Sequence, residues 1–164
     1  MSLSVPEWLD LMSQRFSSDF ADFEVYVFEG TQAEFMPHLS AWPRPTGVVL
    51  LPLDVAELVD SVDTPQQAVN AVEASLAQIG SRPGRQLIVV SGLNILAWLF
   101  PAGLLQPIFK WLRSDNRVAV LVAAPSGPRR LPERAQLFNW RAVVKQSIAQ
   151  GGADRIITLG GVQT

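Results

Sequence analysis

The stretch from Gln86 to Arg113, QLIVVSGLNILAWLFPAGLLQPIFKWLR, limits the possible folds more than any other part of the chain. It opens on a continuous apolar run, Leu87 to Val90, breaks at Ser91-Gly92, and continues mostly apolar to Trp111-Leu112-Arg113. A run of that kind has no polar face to turn to water. It reads as a strand buried on both sides, as in a parallel sheet, and such a strand needs helices above and below it. The segment that follows, Leu93 to Leu112, has the length of a membrane span, which takes roughly 20 apolar residues. It also carries Asn94, Pro101, Gln106, Pro107 and Lys110, and its two prolines divide a single helix into a short piece and a second helix. A strand immediately before it fits a sheet protein better than a membrane protein.

The rest of the chain supplies the partners this strand requires. Ser4, Pro6 and Glu7 have the spacing of a capped helix start, and Trp8, Leu9, Met12 and Phe16 follow at helical intervals, predicting a helix over 5–16. Phe23 to Phe28 alternates and is rich in strand formers. Thr31 and Glu34 have capping-box spacing ahead of a short helix over 32–40, which contains Pro37. The proline-rich AWPRPT (41–46) is a connection, and GVVLL (47–51) is a second buried-looking strand. Asp54 caps a short helical segment over 55–61, and Thr64-Pro65 starts a longer helix with Ala68, Val69, Val72, Leu76 and Ile79 on one stripe, stopped at Gly80. A turn over 81–85 leads into the central strand. RVAVLVA (117–123) is a fourth strand, a loop spans 125–132, a helix spans 133–150 and ends at Gly151-Gly152, and RIITL (155–159) is a short fifth strand. Strands alternating with helices predict a single α/β domain over 1–164: a mostly parallel sheet of about five strands with helices on both faces, Rossmann-like or P-loop-like in plan.

Composition excludes several function classes. With no cysteine there are no disulfides, thiolate metal sites or cysteine nucleophiles. A net charge of −2 does not favour nonspecific nucleic-acid binding by the whole chain. Apolar content of 48% beside 17% charged residues points to a well-buried α/β core or to apolar surface covered by a partner, and self-association is one form of that cover. Glu7 and Asp10 stand where a signal peptide would carry a basic start and an apolar run, which makes the expected location cytoplasmic, with no membrane.

In such folds ligands bind at the carboxyl ends of the strands. The positions there are Asp54, Ser91, Gly92, Asn94, Ser126, Gly127, Arg129 and Arg130. A Walker A loop needs a Gly-Lys pair, and the only lysines, Lys110 and Lys145, follow Phe109 and Val144, so the P-loop motif is absent. The Rossmann glycine fingerprint is absent too. Ser91, Gly92 and Asn94 can line a small anion nest, or they can simply make a tight strand-to-helix turn. A single histidine, His38, rules out a histidine-rich metal site, and Ser91 lacks the glycine elbow of a nucleophilic serine. A magnesium site on Asp54 and Asp60 competes with helix capping by Asp54. No cofactor is expected. The basic residues gather late in the chain: Arg129 and Arg130 in the loop, and Arg134, Arg141 and Lys145 along one side of the last helix. Arginine forks suit carboxylate or phosphate partners. Of five tryptophans, Trp42 lies in the proline-rich connection, where an exposed interface anchor is the expected role, while Trp98, Trp111 and Trp140 are expected in the core. Trp42, Arg129, Arg130 and Arg141 are therefore the candidate partner contacts.

One pattern extends over most of the chain. A strand ends in Ser91-Gly92, then come Phe100-Pro101 and a Leu104-Leu105 helix, a strand into Ala124-Pro125-Ser126-Gly127, and Leu137-Phe138-Asn139-Trp140-Arg141. Phe23 to Gly30 and Leu51-Pro52-Leu53-Asp54 fall in the matching order. The pattern resembles the BrxB family of BREX phage-defence systems. It departs from it at Asn94, where a second glycine would stand, and at Ala102-Gly103-Leu104, where an arginine would follow the proline. The resemblance implies a non-catalytic adaptor or scaffold subunit that joins partner proteins, a PglZ-like component among them. The alternative is a degenerate nucleotide- or nucleic-acid-binding α/β domain using Ser91 to Asn94 with Arg129-Arg130, and a third is an enzyme using Asp54 and Ser126.

Overall fold

The apolar runs fold as the alternation predicts. The computed structural model describes residues 3–20, 23–122 and 156–159. Its strands β1 (Phe23–Phe28), β2 (Val48–Asp54), β3 (Arg85–Ser91), β4 (Arg117–Val122) and β5 (Ile156–Leu159) form one five-stranded sheet, every pair of neighbours parallel. The order across the sheet is β2-β3-β4-β1-β5. The helices are α1 (Val5–Arg15), α2 (Gln32–Ala41), α3 (Val55–Val59), α4 (Pro65–Gly80), α5 (Leu93–Leu99) and α6 (Leu105–Leu112). The helix expected over 133–150 lies outside the described residues.

Topology decides which helix covers which face. The chain leaves β1, passes β4 and β3 to reach β2 at the far edge, and then returns through β3 to β4. Parallel crossovers are right-handed in nearly all cases, so the outward and return passes place their helices on opposite faces. The core divides accordingly. Tyr26, Phe28, Leu87, Val89, Val118 and Val120 meet α1 and α2 on one face. Val25, Val27, Ile88, Val90, Ala119 and Leu121 meet α4, α5 and α6 on the other. Every residue from Gln86 to Ser91 is buried, as the two-sided apolar run requires.

The local rules read from the sequence hold at the helix starts. Ser4 Oγ accepts from the Glu7 N–H at 3.2 Å, and Thr64 Oγ1 accepts from the Gln67 N–H at 3.2 Å. The long apolar segment splits into α5 and α6. Pro101 stands in the break, and Pro107 lies in the first turn of α6, where a backbone N–H has no helical acceptor to lose. Among the described residues no helix is long and apolar enough to cross a membrane. Trp8 is fully enclosed and meets the Tyr26 ring edge-on at 5.4 Å. Trp98 and Trp111 are half-buried against the core.

Strand β2 corrects one boundary. It runs to Asp54, past the expected end at Leu51, with Pro52 inside it. Proline removes a ladder donor, which a central strand does not tolerate; on an edge the missing N–H faces away from the sheet at no cost. Pro52 therefore marks β2 as an edge strand, and in the structure β2 pairs with β3 alone among the described residues.

The amino rim of the sheet is held by a buried cation without a carboxylate. Arg117, 5% exposed, donates from Nη1 to the Leu112 carbonyl at 3.0 Å and from Nη2 to the carbonyls of Gly80 at 2.7 Å and Arg82 at 3.0 Å. These carbonyls belong to the carboxyl ends of α6 and α4, where orphan acceptors and the helix dipole favour a positive charge. Burial lowers the guanidinium pKa from its usual value. Gln86, fully buried beside it, donates to the same Arg82 carbonyl at 3.0 Å. The two helices come so close here that a Cβ on Gly80 would lie 2.0 Å from the Trp111 carbonyl oxygen.

Candidate functional site

A parallel sheet that reverses its direction of travel opens a crevice at the carboxyl ends of the strands where the connections part. Here that point lies between β1, whose exit leads to α2 on one face, and β4, next to β3, whose exit leads to α5 on the other. At the exits of β1 and β3 the local chemistry is committed to the chain itself, and the exit of β4 lies outside the described residues.

At the β1 exit, Thr31 and Glu34 form a complete capping box. Thr31 Oγ1 accepts from the Glu34 N–H at 3.1 Å, and Glu34 Oε1 accepts from the Thr31 N–H at 3.4 Å and from its hydroxyl at 3.1 Å. The N-terminus of α2 thus already holds an anion, the Glu34 carboxylate. Gly30 is enclosed as well: an added Cβ would fall 2.6 Å from Phe28 Cε2 and 3.0 Å from Glu34 Oε2. Glu29 stands beside it, so the charge that the described residues place at this exit is negative.

At the β3 exit, Ser91, Gly92 and Asn94 are all buried. Gly92 takes φ +81°, and an added Cβ would lie 3.0 Å from the Ala56 nitrogen and 3.2 Å from Val55 Cβ. Glycine is required there twice over, for the left-handed backbone and for the close approach of α3. The packing builds the tight strand-to-helix turn. An anion nest on Ser91 to Asn94 would need an open face toward α3, and α3 fills that face. The Ser91 hydroxyl has no hydrogen-bond partner among the described residues. Asp54, in register with Ser91, caps α3 through Oδ1, which accepts from the Ala56 N–H at 3.0 Å and the Glu57 N–H at 3.4 Å. Asp60 is exposed at the far end of α3, and among the described residues no three His, Asp or Glu side chains gather as a metal site would need. His38 lies in the last turn of α2, which starts at this rim and runs away from it.

Trp42 requires a correction. Expected in an open loop as a partner anchor, it is 8% exposed and belongs to the core beneath α1 and α2. Its indole N–H donates to Ser13 Oγ at 2.8 Å, so it ties the end of α2 to the middle of α1. A tryptophan with both its ring and its donor engaged has little left to offer another protein. Arg129, Arg130, Arg141 and Ser126 lie outside the described residues.

The concavity that the described residues do form lies elsewhere, along the β2 edge. It has a volume of about 500 Å³ and is lined by Leu51, Leu53, Leu58 and Ile79, with Asp54 and Glu57 at one end and Arg82 at the other. Next to it Val49 is 42% exposed on an otherwise apolar strand. Ser61, Ser75 and Gln78 add polar groups to the lining of the hollow. A strand edge with no neighbour among the described residues, beside such a hollow, is a surface that accepts another strand or helix. The sequence signal for it was Pro52 within the apolar run VVLLPLD, since proline in a strand implies an edge.

No family model matches the chain, and no curated protein matches it. Among solved structures it is similar to the ORC2 protein of Aeropyrum pernix, a structure described as ADPNP-ADP complexes. Identity is 10%, the TM-score is 0.43, and the match covers 96% of this chain and 46% of that one. The chain thus spans less than half the length of that protein, and at this level of likeness neither ligand nor activity carries over.

Proposed function

We propose that the chain is a non-catalytic adaptor or scaffold domain that engages a protein through the β2 edge and its adjoining hollow. One observation carries this: a strand edge without a neighbour among the described residues and a concavity coincide, while the exits of β1 and β3 are filled by Glu34 and by α3. The resemblance to the BrxB family adds a place for it, a bacterial anti-phage defence assembly with a PglZ-like component as the partner to test.

The test is a tagged pull-down from the native host at moderate salt, with the wild type beside Val49→Lys. A stoichiometric protein that the wild type retains and Val49→Lys loses supports the reading. Recovery of nucleic acid or nucleotide alone, lost steeply as salt rises, would sink it in favour of the degenerate phosphate-binding domain.

A further inference from the structure

The hollow beside β2 has its charges divided between its ends. Helix α4 runs antiparallel to the strands and ends at Gly80, so exposed Arg82 stands at the amino end of the hollow. The register confirms the placement: Arg85, three residues on, pairs with Val48, the first residue of β2. Asp54 and exposed Glu57 stand at the carboxyl end. Between them lie Leu51 and Leu53 on the strand and Leu58, Ser75, Gln78 and Ile79 on the adjoining helices, with Val49 next to the hollow on the same side of β2.

A surface with a cation at one end, acids at the other and uncharged side chains between them complements itself after a half turn. Resting on the protein-binding reading of this face, we infer that its occupant is a second copy of this chain, its β2 laid antiparallel along the first. The two sheets become one continuous sheet across a two-fold axis, and the contact is isologous. Antiparallel pairing brings Arg82 of each copy to Asp54 and Glu57 of the other. It covers Val49 beneath the paired α4 helices, each of which brings Ile79 and Gln78 to the shared hollow. Pro52 offers its carbonyl as an acceptor and no donor, so the ladder gathers on the donor-bearing half of the edge, Val48 to Leu51. A parallel use of the same edge would set like charges against like.

Sedimentation velocity with light scattering tests this on the full chain, in the wild type, Arg82→Glu, Glu57→Arg and the double exchange. All the altered side chains are exposed, so the fold is retained. A wild-type dimer is expected, weakened about tenfold by either single reversal and restored by the double exchange. Hydrogen exchange at the β2 amides should slow as protein concentration rises, in the wild type and the double exchange. A wild-type monomer, open polymers, or a dimer indifferent to the charge reversals overturns the proposal. A monomer that still captures a protein lost on Val49→Lys overturns self-association alone and leaves the adaptor reading standing. A dimer with charge-swap rescue supports self-association even where no foreign partner is captured.

Discussion

Strands β3 and β2 are neighbours in one sheet, yet they treat polar groups in opposite ways. Along β3 and its partner β4, polar groups are enclosed and mostly consumed within the chain. Gln86 and Arg117 are spent on the carbonyls that end α4 and α6, and Gly92 packs the β3 exit against α3. Along β2, one backbone edge has no neighbour among the described residues, and its apolar side chains stand partly in water. A buried hydrogen-bonding group left unpaired costs about 1–3 kcal/mol, so the centre of the sheet spends most of its polar groups within the chain, Ser91 Oγ, Gln86 Oε1 and Arg117 Nε being the exceptions among the described residues. The edge is under no such demand, and it is where capacity for another molecule remains.

This contrast can be broken by mutation, most forcefully at the amino rim. Arg117→Ala leaves the Leu112 and Gly80 carbonyls without their side-chain donor and the Arg82 carbonyl with Gln86 alone. It is expected to lower stability by about 3–4 kcal/mol in urea unfolding. A loss below about 1 kcal/mol would mean that water replaces the guanidinium and that the rim is open. Gly80→Ala forces a backbone carbonyl of α6 away from α4. About 3 kcal/mol is expected, as for overpacking in a tight core, with a fall in thermal midpoint that checks it. Glu34→Ala, at the exposed capping box, should cost about 1 kcal/mol, while Glu34→Gln keeps most of the cap and loses less.

The pH dependence probes the same interior. Tyr26 is the only tyrosine. Burial above all, and then the charge of Glu24, whose Oε1 accepts its hydroxyl proton at 3.0 Å, hold its pKa above the ordinary tyrosine value. The folded protein binds this proton more tightly than the unfolded chain does. The stability it contributes is whole below about pH 10 and drains away as pH rises further. Tyr26→Phe should remove that alkaline decline, and phenolate absorbance on base titration should appear only with unfolding. The smallest effect on stability belongs to the edge: Val49→Lys should change it by no more than about 0.5 kcal/mol while abolishing partner capture. Equal loss of both would erase the distinction between the two strands.

What could be read in advance follows the same division. Strands β3 and β4 declare themselves because two-sided burial demands an apolar run, and β1 does so by alternation and its strand-forming residues. The helix caps declare themselves because Ser4, Thr31, Asp54 and Thr64 act on residues two or three positions away. Trp42 did not, since its burial depends on Ser13 in another helix, and a Pro-rich neighbourhood looks the same whether or not a helix lies over it. Arg117 read only as the first residue of a strand, because its acceptors come from Gly80, Arg82 and Leu112, three places that only the finished fold unites. The hollow is not legible from a strand read over 47–51, because Pro52 to Asp54, which line it, lie beyond that end.

Glu34 has a consequence for how such a domain can lose or regain a ligand. Its carboxylate is a tethered competitor, three residues from the amide it engages. A group held on so short a leash acts at an effective concentration in the millimolar range. A free phosphate present at micromolar levels meets an exit already occupied by a rival that cannot diffuse away. The exclusion needs no steric wall, only one side chain long enough to reach back.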